Sequence, residues 1–431
     1  LDEPIPAMAV PEIFPDISLN DQGGFIPIIV GEMGSLEQTS PPVVMGAVSL
    51  PHIGSATYGS PPTAYDRYAV AMHPVFDVVG VYRNEIIDLG VDDWATQWVL
   101  VDPYGDFEMT FTYCDFLTAQ PQGTQIRADV RGIYYRGAWG TLAELDGSVS
   151  PLGTLRNPID FFINMTYLIL AKAGVSTSVF DTDEISTLRD ALDGVYFCDG
   201  AITAPITARE FLGRFLTSFN LDMFVNARGK ITLRKVDTED PERIEIKEGK
   251  HIIAESFTEL LPPETANNVQ YRYAFNNAVG EWEKSAITVV NSDLDAIALP
   301  DNETSPPVRR EKIEKEILDL YFVRDDATAS AIATARNTFL RLGSFRQEFS
   351  VPAPPFAGQL DLAQRIGITH SMGLNDGGYI NEEAKIIGLT LDLDRLQYNI
   401  RSILRAPRTI LKWAEAFEFS DDFNRADGDL T

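Results

Sequence analysis

The sequence predicts an α+β fold that is predominantly β, in which two β-rich blocks flank or enclose helical insertions. Three patterns lead to that reading. Phe107, Met109, Phe111 and Tyr113 alternate with Glu108, Thr110 and Thr112, the two-residue period of a half-buried strand. Asn157 and Pro158 open a run in which Ile159, Phe162, Ile163, Thr166 and Leu170 recur at helical spacing, up to Gly174. Near the C-terminal end, Leu389, Leu391 and Leu393 alternate with Thr390 and Asp392, and the chain turns near Asp394. It returns through Leu396, Tyr398 and Ile400, as a hairpin does.

Taken in order, residues 1–40 read as an extended N-terminal arm, the Pro-punctuated PIPAMAVPEIFPD followed by an edge strand in GGFIPIIVGEM. Residues 41–155 form a first β domain, where RYAVAMHPVFDVVGVYRNEIIDLG, DFEMTFTYCDF and TQIRADVRGIYYRG lie between Gly, Asp and Pro turns. Residues 156–245 form an α+β unit. Its second helix starts at Thr207, whose hydroxyl caps while Glu210 reaches back, and it carries Phe211, Leu212, Phe215, Leu216 and Phe219 on one face. The hairpin MFVNARGKITLRK follows, turned by Asn226 to Gly229, with Gly229 supplying a positive φ. Residues 246–405 form a second β domain with a helical insertion near 309–343. Within it KIEKEILDLYF reads as a strand, although Ile313, Ile317 and Tyr321 also suit a helix. Asp325 or Asp326 then caps a helix through Ile332, Ala335, Arg336 and Phe339, closed by Gly343. Residues 406–431 read as a linker leading to a further domain. No short repeat of the solenoid or propeller kind is present.

Composition excludes more than it names. A chain of 431 residues with 45% hydrophobic and 23% charged side chains is an ordinary globular protein of several domains. Its 63 acidic and 35 basic residues leave a net charge of −28. Phosphate contacts need Lys or Arg, so duplex DNA, RNA and anionic membranes are disfavoured as ligands and no sequence-specific nucleic-acid binding is expected. Cys114 and Cys198 each follow an aromatic residue, outside any CxxC or Cys/His cluster, and read as buried small hydrophobes; one disulfide between them stays open. The longest apolar stretch, 159–175, is interrupted by Asp160, Asn164 and Lys172, so neither a transmembrane segment nor a signal peptide is expected.

The search for chemistry returns no catalytic, cofactor-binding or metal-binding residue. His52, His73, His251 and His370 are isolated, with no HExxH or HxH spacing, and no cofactor is expected. GxSxG, GxxxxGK[ST] and a strand-following GxGxxG are absent. Glu281 and Glu283 flank Trp282, which could stack on a sugar, yet that alternation more often marks a solvated strand face around one inward aromatic. His73 reads as a satisfied core or edge histidine. Trp94 and Trp98 are the one tryptophan pair spaced for a stacking platform, with core packing the favoured reading. In the C-terminal Asp421, Asp422, Asn424, Asp427, Gly428 and Asp429, Ala426 and Asp427 break the calcium-loop register. The chain is therefore read as not an enzyme.

In this order, GGFIPIIVGEM, YAVAMHPVFDVVGVY, NPIDFFINMTYLIL, ITAREFLGRFLTSFNLDMFVNARGKITLRK and the final ITH, YI and AKIIGLTLDLD resemble the tail hub proteins of long-tailed bacteriophages, across residues 20–405. The resemblance implies a structural virion protein, the hub of a tail tip or baseplate. Such a protein is a homotrimer whose two tube-like β-barrel domains per chain approximate a sixfold ring. It joins the tail tube to the distal fibre or tip and forms part of the DNA channel. Implied partners are the distal tail, tail tube and tape-measure proteins and the tail fibre or tip proteins. The implied location is the distal end of the virion tail, with roles in host attachment and DNA ejection. The base of a contractile machine's spike shares this plan. Separately, DDFNRADG resembles the opening of jelly-roll lectin-like modules. The alternative from another class is a carbohydrate-binding or carbohydrate-cleaving tail adhesin that acts as a receptor-binding protein.

Overall fold

A computed structural model describes residues 25–34, 48–58, 63–73, 75–83, 87–88, 94–101, 109–116, 120, 124–133, 156–173, 177–236, 243–260, 268–290, 315–340, 344–371 and 378–405. The reading of residues 421–429 lies outside them, as does most of the N-terminal arm.

Two antiparallel sheets make the first β block. One orders Glu32–Met33, Ile126–Ile133, Val75–Arg83 and Ile87–Asp88, with Val48–Leu50 continuing the first edge along Ile126–Ile133. The other orders His52–Tyr58, Thr63–Ala71, Met109–Phe116 and Trp94–Val101. Tyr68, Val70, Cys114 and Phe116 of the second sheet meet Val78, Val81, Ile126, Ala128 and Val130 of the first in one core. Val79 is the extra residue of a bulge: Val78 faces Val130 and Gly80 faces Asp129, so Val78 and Val81 both point inward while Val79 is left out. The described pairing leaves both sheets open along their outer strands, so no closed barrel forms among the described residues.

Residues 25–34, read from the sequence as part of an arm with an edge strand, run through the interior. Ile28–Val30 pairs with Gly200–Ile202, and Glu32–Met33 pairs with Val130 and Arg131. Ile26, Ile28 and Val30 enter a second, helical core, whereas Ile29 and Met33 enter the β core. Both faces of this strap are buried, which is why PIIV is apolar throughout instead of alternating with polar residues.

The helical core is built on α1 (Pro158–Ala173), α2 (Thr182–Leu192), α3 (Ala208–Phe219) and α4 (Asp326–Leu340). Each start has a side-chain cap for its orphan N–H groups. Ile159 N donates to Asn157 Oδ1 at 2.9 Å, Glu184 N to Asp181 Oδ1 at 3.2 Å, and Glu210 N to Thr207 Oγ1 at 3.0 Å. Thr328 N donates to Asp325 Oδ2 at 2.7 Å, so Asp325 is the cap of α4. The Glu210 carboxylate does not complete a capping box; it pairs with Arg214 one turn on, at 2.5 Å. Phe161, Phe162, Phe211, Phe215, Phe219 and Phe322 pack their rings together, and each contributes roughly 1.5–3 kcal/mol by leaving water. Around them lie the hairpin Leu221–Val225 and Ile231–Lys235 and a three-stranded sheet, in which Asn268–Arg272 sits between antiparallel Ile287–Val290 and parallel Lys315–Asp319.

The last block is a six-stranded sheet in the order Ile244–Lys247, Arg365–His370, Tyr379–Asp392, Gln397–Arg405, Ser344–Pro352 and Thr258–Leu260. Its first pair is parallel. Phe257, Phe349, Ile366, Ile368, Ile386 and Ile400 form its core.

Candidate functional site

The two acids that flank Trp282 do not form a catalytic pair. Glu283 Oε2 accepts from Arg324 Nη2 at 2.6 Å, and Glu283 Oε1 accepts from the Asn276 amide at 2.6 Å. Trp282 is partly buried against Phe275 and Tyr321, at ring separations of 4.9 and 5.3 Å, and Arg272 lies over it at 5.3 Å. Glu281 is exposed on the short strand opposite Asn276. Trp282 and Glu283 thus build a packed corner, with Glu281 on its exposed side. Its organiser is Arg324, 2% exposed, which also donates to Phe275 O at 2.7 Å and to Gly34 O at 2.6 Å. One guanidinium therefore ties the end of the strap, a hairpin and the start of α4 together.

A second polar cluster holds the strap from the other side. Asp199 Oδ1 accepts from Glu32 N and from Arg156 Nε, both at 2.9 Å, and Arg156 Nη2 reaches Asp199 Oδ2 at 2.7 Å. Burial pushes the Asp199 carboxyl above the ordinary aspartate value, against the opposing pull of Arg156. Burial also pushes the neighbouring Cys198 thiol well up, so it is a packed hydrophobe and no nucleophile. Both cysteines are buried, and neither is in a disulfide.

Because the folded-state pKa of Asp199 is raised, the folded protein binds this proton more tightly than the unfolded chain does. Its contribution to stability is complete below the ordinary aspartate value and declines as pH rises through the raised value. The unfolding free energy of the wild type minus that of Asp199→Asn is therefore expected to fall as pH rises across that window, in urea titrations. A difference that grows with pH would reject the assignment.

His73 serves the fold. His73 is fully buried; its Nε2 accepts from Ile29 N at 2.9 Å, and its carbonyl accepts from Thr112 Oγ1 at 2.8 Å. Trp94 and Trp98 stand on a strand paired along its length with Met109–Phe116. Among the described residues no group of three or more His, Cys, Asp or Glu is arranged to hold a metal ion. No described helix is long and apolar enough to cross a membrane.

One cleft was not legible in the sequence. It has a volume of about 280 Å³ and lies where α3, the hairpin after it, α4 and the six-stranded sheet meet. Leu216, Leu221, Ile387 and Ile403 supply apolar wall, and Asp222, Arg336 and Lys385 supply charge. Asn220 caps α3 in the left-handed region with φ 53°, donating its N–H to Leu216 O. Its side chain is 1% exposed, and neither its amide nitrogen nor its amide oxygen has a hydrogen-bond partner. Lys385 Nζ pairs with Asp222 across the cleft floor.

Comparison with known proteins supplies fold-level likeness only. No family model and no curated sequence matches the chain. Among solved structures, a chain from the virion of a native gene transfer agent particle is similar, with a TM-score of 0.51 at 13% identity, over 90% of this chain and 86% of that one. The 43 kDa tail protein of prophage MuSo2 from Shewanella oneidensis matches with a TM-score of 0.34 at 12% identity, over 88% of this chain and 98% of that one. A tail protein from Neisseria meningitidis MC58 matches with a TM-score of 0.30 at 10% identity, over 88% and 96%. At 0.51 the first of these shares the overall fold.

Proposed function

We propose that this chain is a structural virion protein of a phage-type tail, the homotrimeric hub that joins the tail tube to the distal fibre or tip. The observation that carries the reading is the fold shared with a chain of a gene transfer agent virion across nine-tenths of the sequence. The molecule's own chemistry agrees with a scaffold. Its polar clusters at Arg324 and Asp199 are consumed in tying elements together, and Glu283 beside Trp282 belongs to the first of them. It acts without catalysis.

In the assembled hub the open sheets of neighbouring chains complete a ring at the distal end of the tail, with the tail tube, distal tail and tape-measure proteins as partners on one side and fibre or tip proteins on the other. A net charge of −28 per chain makes such a ring strongly acidic, and acidic residues lining its lumen would let DNA pass without sticking. The test is imaging of particles labelled with antibody to this chain. Label at the junction of tube and tip, with three copies in the averaged density, is the expected result. Label on the capsid or along the fibres would reject the reading.

A further inference from the structure

The three blocks are joined in two different ways. The strap welds the first β block to the helical one, because Ile28 and Val30 sit in one core and Ile29 and Met33 in the other, while Ala69, Met72 and Tyr113 of the β block add to the helical core. The last block has no such weld. Among the described residues, no apolar side chain belongs both to its core and to the helical one. The chain crosses between these two blocks three times, between Val236 and Arg243, between Leu260 and Asn268, and between Leu340 and Ser344. Leu260 pairs with Arg346, so the last two crossings leave from neighbouring strands.

Polar contacts span the joint along the hairpin Leu221–Val225 and Ile231–Lys235. Asp222 pairs with Lys385, Val236 O accepts from Arg365 Nη2 at 3.1 Å, and at the turn Ala227 N donates to Asp361 Oδ1 at 2.5 Å. Arg234 Nη2 lies 3.9 Å from Asp361 Oδ2. Partly exposed ion pairs of this kind are weak singly and are screened by salt, whereas apolar burial is not. Asp222, Val236 and Lys385 also line the cleft, which separates Leu216 and Leu221 of the helical block from Ile387 and Ile403 of the sheet. Ile387, 41% exposed, and Ile403 belong to neither core. A space of about 280 Å³ leaves room for one block to rock against the other, and apolar wall on both sides rewards closure with burial.

We infer that the last β block is hinged: it swings as a rigid body against the other two on the three crossings, with the polar contacts of the hairpin as its latch and the cleft as the space it moves into. Each block keeps its own core, so the crossings absorb the change and the sheets do not deform. Salt, or loss of the latch, frees the swing. The strap is held by burial and does not yield under the same conditions. The hinge belongs to a single chain, so it stands or falls apart from the hub reading.

The test reads distances between spin labels in the full chain. Val195→Cys with Ile380→Cys places one label on each block, at positions 53% and 73% exposed, and Val195→Cys with Ile317→Cys places both on the helical block. Cys114 and Cys198 are buried, which leaves the label to the introduced thiols. Labelled chain is diluted into excess unlabelled chain, so that distances within one copy are measured by double electron–electron resonance from low to high salt. The distance distribution between blocks is expected to widen about twofold as salt rises, while the pair within the helical block stays narrow. In Asp222→Ala/Asp361→Ala the distribution between blocks should already be broad at low salt, and adding Ile387→Trp, which fills the cleft, should narrow it again. Should the latch variant fail to fold, the salt series on the otherwise unaltered chain still decides. One narrow distance between blocks at every salt concentration would overturn the hinge, and so would widening of both pairs alike, which is general loosening. A distribution that Ile387→Trp leaves broad would overturn the cleft's part in the motion.

Discussion

Replacing Arg324 with alanine is expected to lower the unfolding free energy by about 3–5 kcal/mol, the range for breaking a buried ion pair from one side. The guanidinium is 2% exposed and spans Glu283, Phe275 O and Gly34 O, so its loss strands a partly buried carboxylate and two carbonyls at once. Arg324→Lys should recover little, because a single ammonium cannot reach three acceptors arranged for a planar fork. Arg324→Met combined with Glu283→Met should sit between wild type and the alanine variant, since it removes the stranded charge and still leaves the carbonyls unpaired. Urea denaturation with tryptophan fluorescence reads this, as Trp282 stands in the same corner. A loss below about 1 kcal/mol would mean that water replaces the guanidinium and the corner is not closed.

What the sequence disclosed and withheld follows from the range of each interaction. Caps and turns are local, so Asn157 and Thr207 could be read directly and Asp325 as one of two neighbouring aspartates, and Gly229 takes the positive φ its turn demands, at 73°. The closing hairpin was equally plain, because alternation through Leu389 and Leu391 needs no knowledge of distant residues. Helix α2 escaped notice, although Asp181 and Glu184 carry the capping signal and Gly194 ends it with φ 67°. Its apolar face is thin, Ile185, Leu188 and Leu192 among seven polar residues and Ala191, a far weaker signal than those of its two Phe-rich neighbours. The strap departs from its sequence pattern for the opposite reason. Proline punctuation announces extended chain, and nothing local distinguishes an arm on the surface from a strand buried on both faces. The parallel pairings of Ile244–Lys247 with Arg365–His370 and of Asn268–Arg272 with Lys315–Asp319 join segments with no shared turn, so no local pattern encodes them.

The candidate site was least legible of all. Arg324 follows Val323 in a stretch whose reading turned on apolar spacing, and nothing there shows that it will reach Gly34, 290 residues away. Asn220 reads as the residue after an amphipathic helix, a standard left-handed stop. Only the sheet packed behind it turns that stop into the wall of a cleft.

Gly31→Ala should be comparably damaging, at about 2–5 kcal/mol, and a second glycine supplies its control. Gly31 has φ +66°, where an alanine costs about 1–2 kcal/mol through its Cβ. That Cβ would also lie 2.2 Å from Asp199 Oδ1 and 2.2 Å from Cys198 O. The carboxylate cannot swing aside without releasing Arg156 and Glu32 N, and the carbonyl is backbone, so the strap itself must move, adding about 1–3 kcal/mol. Gly194 has nearly the same backbone, φ +67°, with nothing within 4 Å of the added Cβ. Gly194→Ala should therefore show the left-handed cost alone. The difference between the two variants measures how tightly the strap is gripped, and hydrogen exchange of residues 28–33 should rise in Gly31→Ala only. Equal losses for both glycines would show that the strap yields readily, and the two polar clusters would then be holding a loosely fitted strand rather than locking the β block to the helical one.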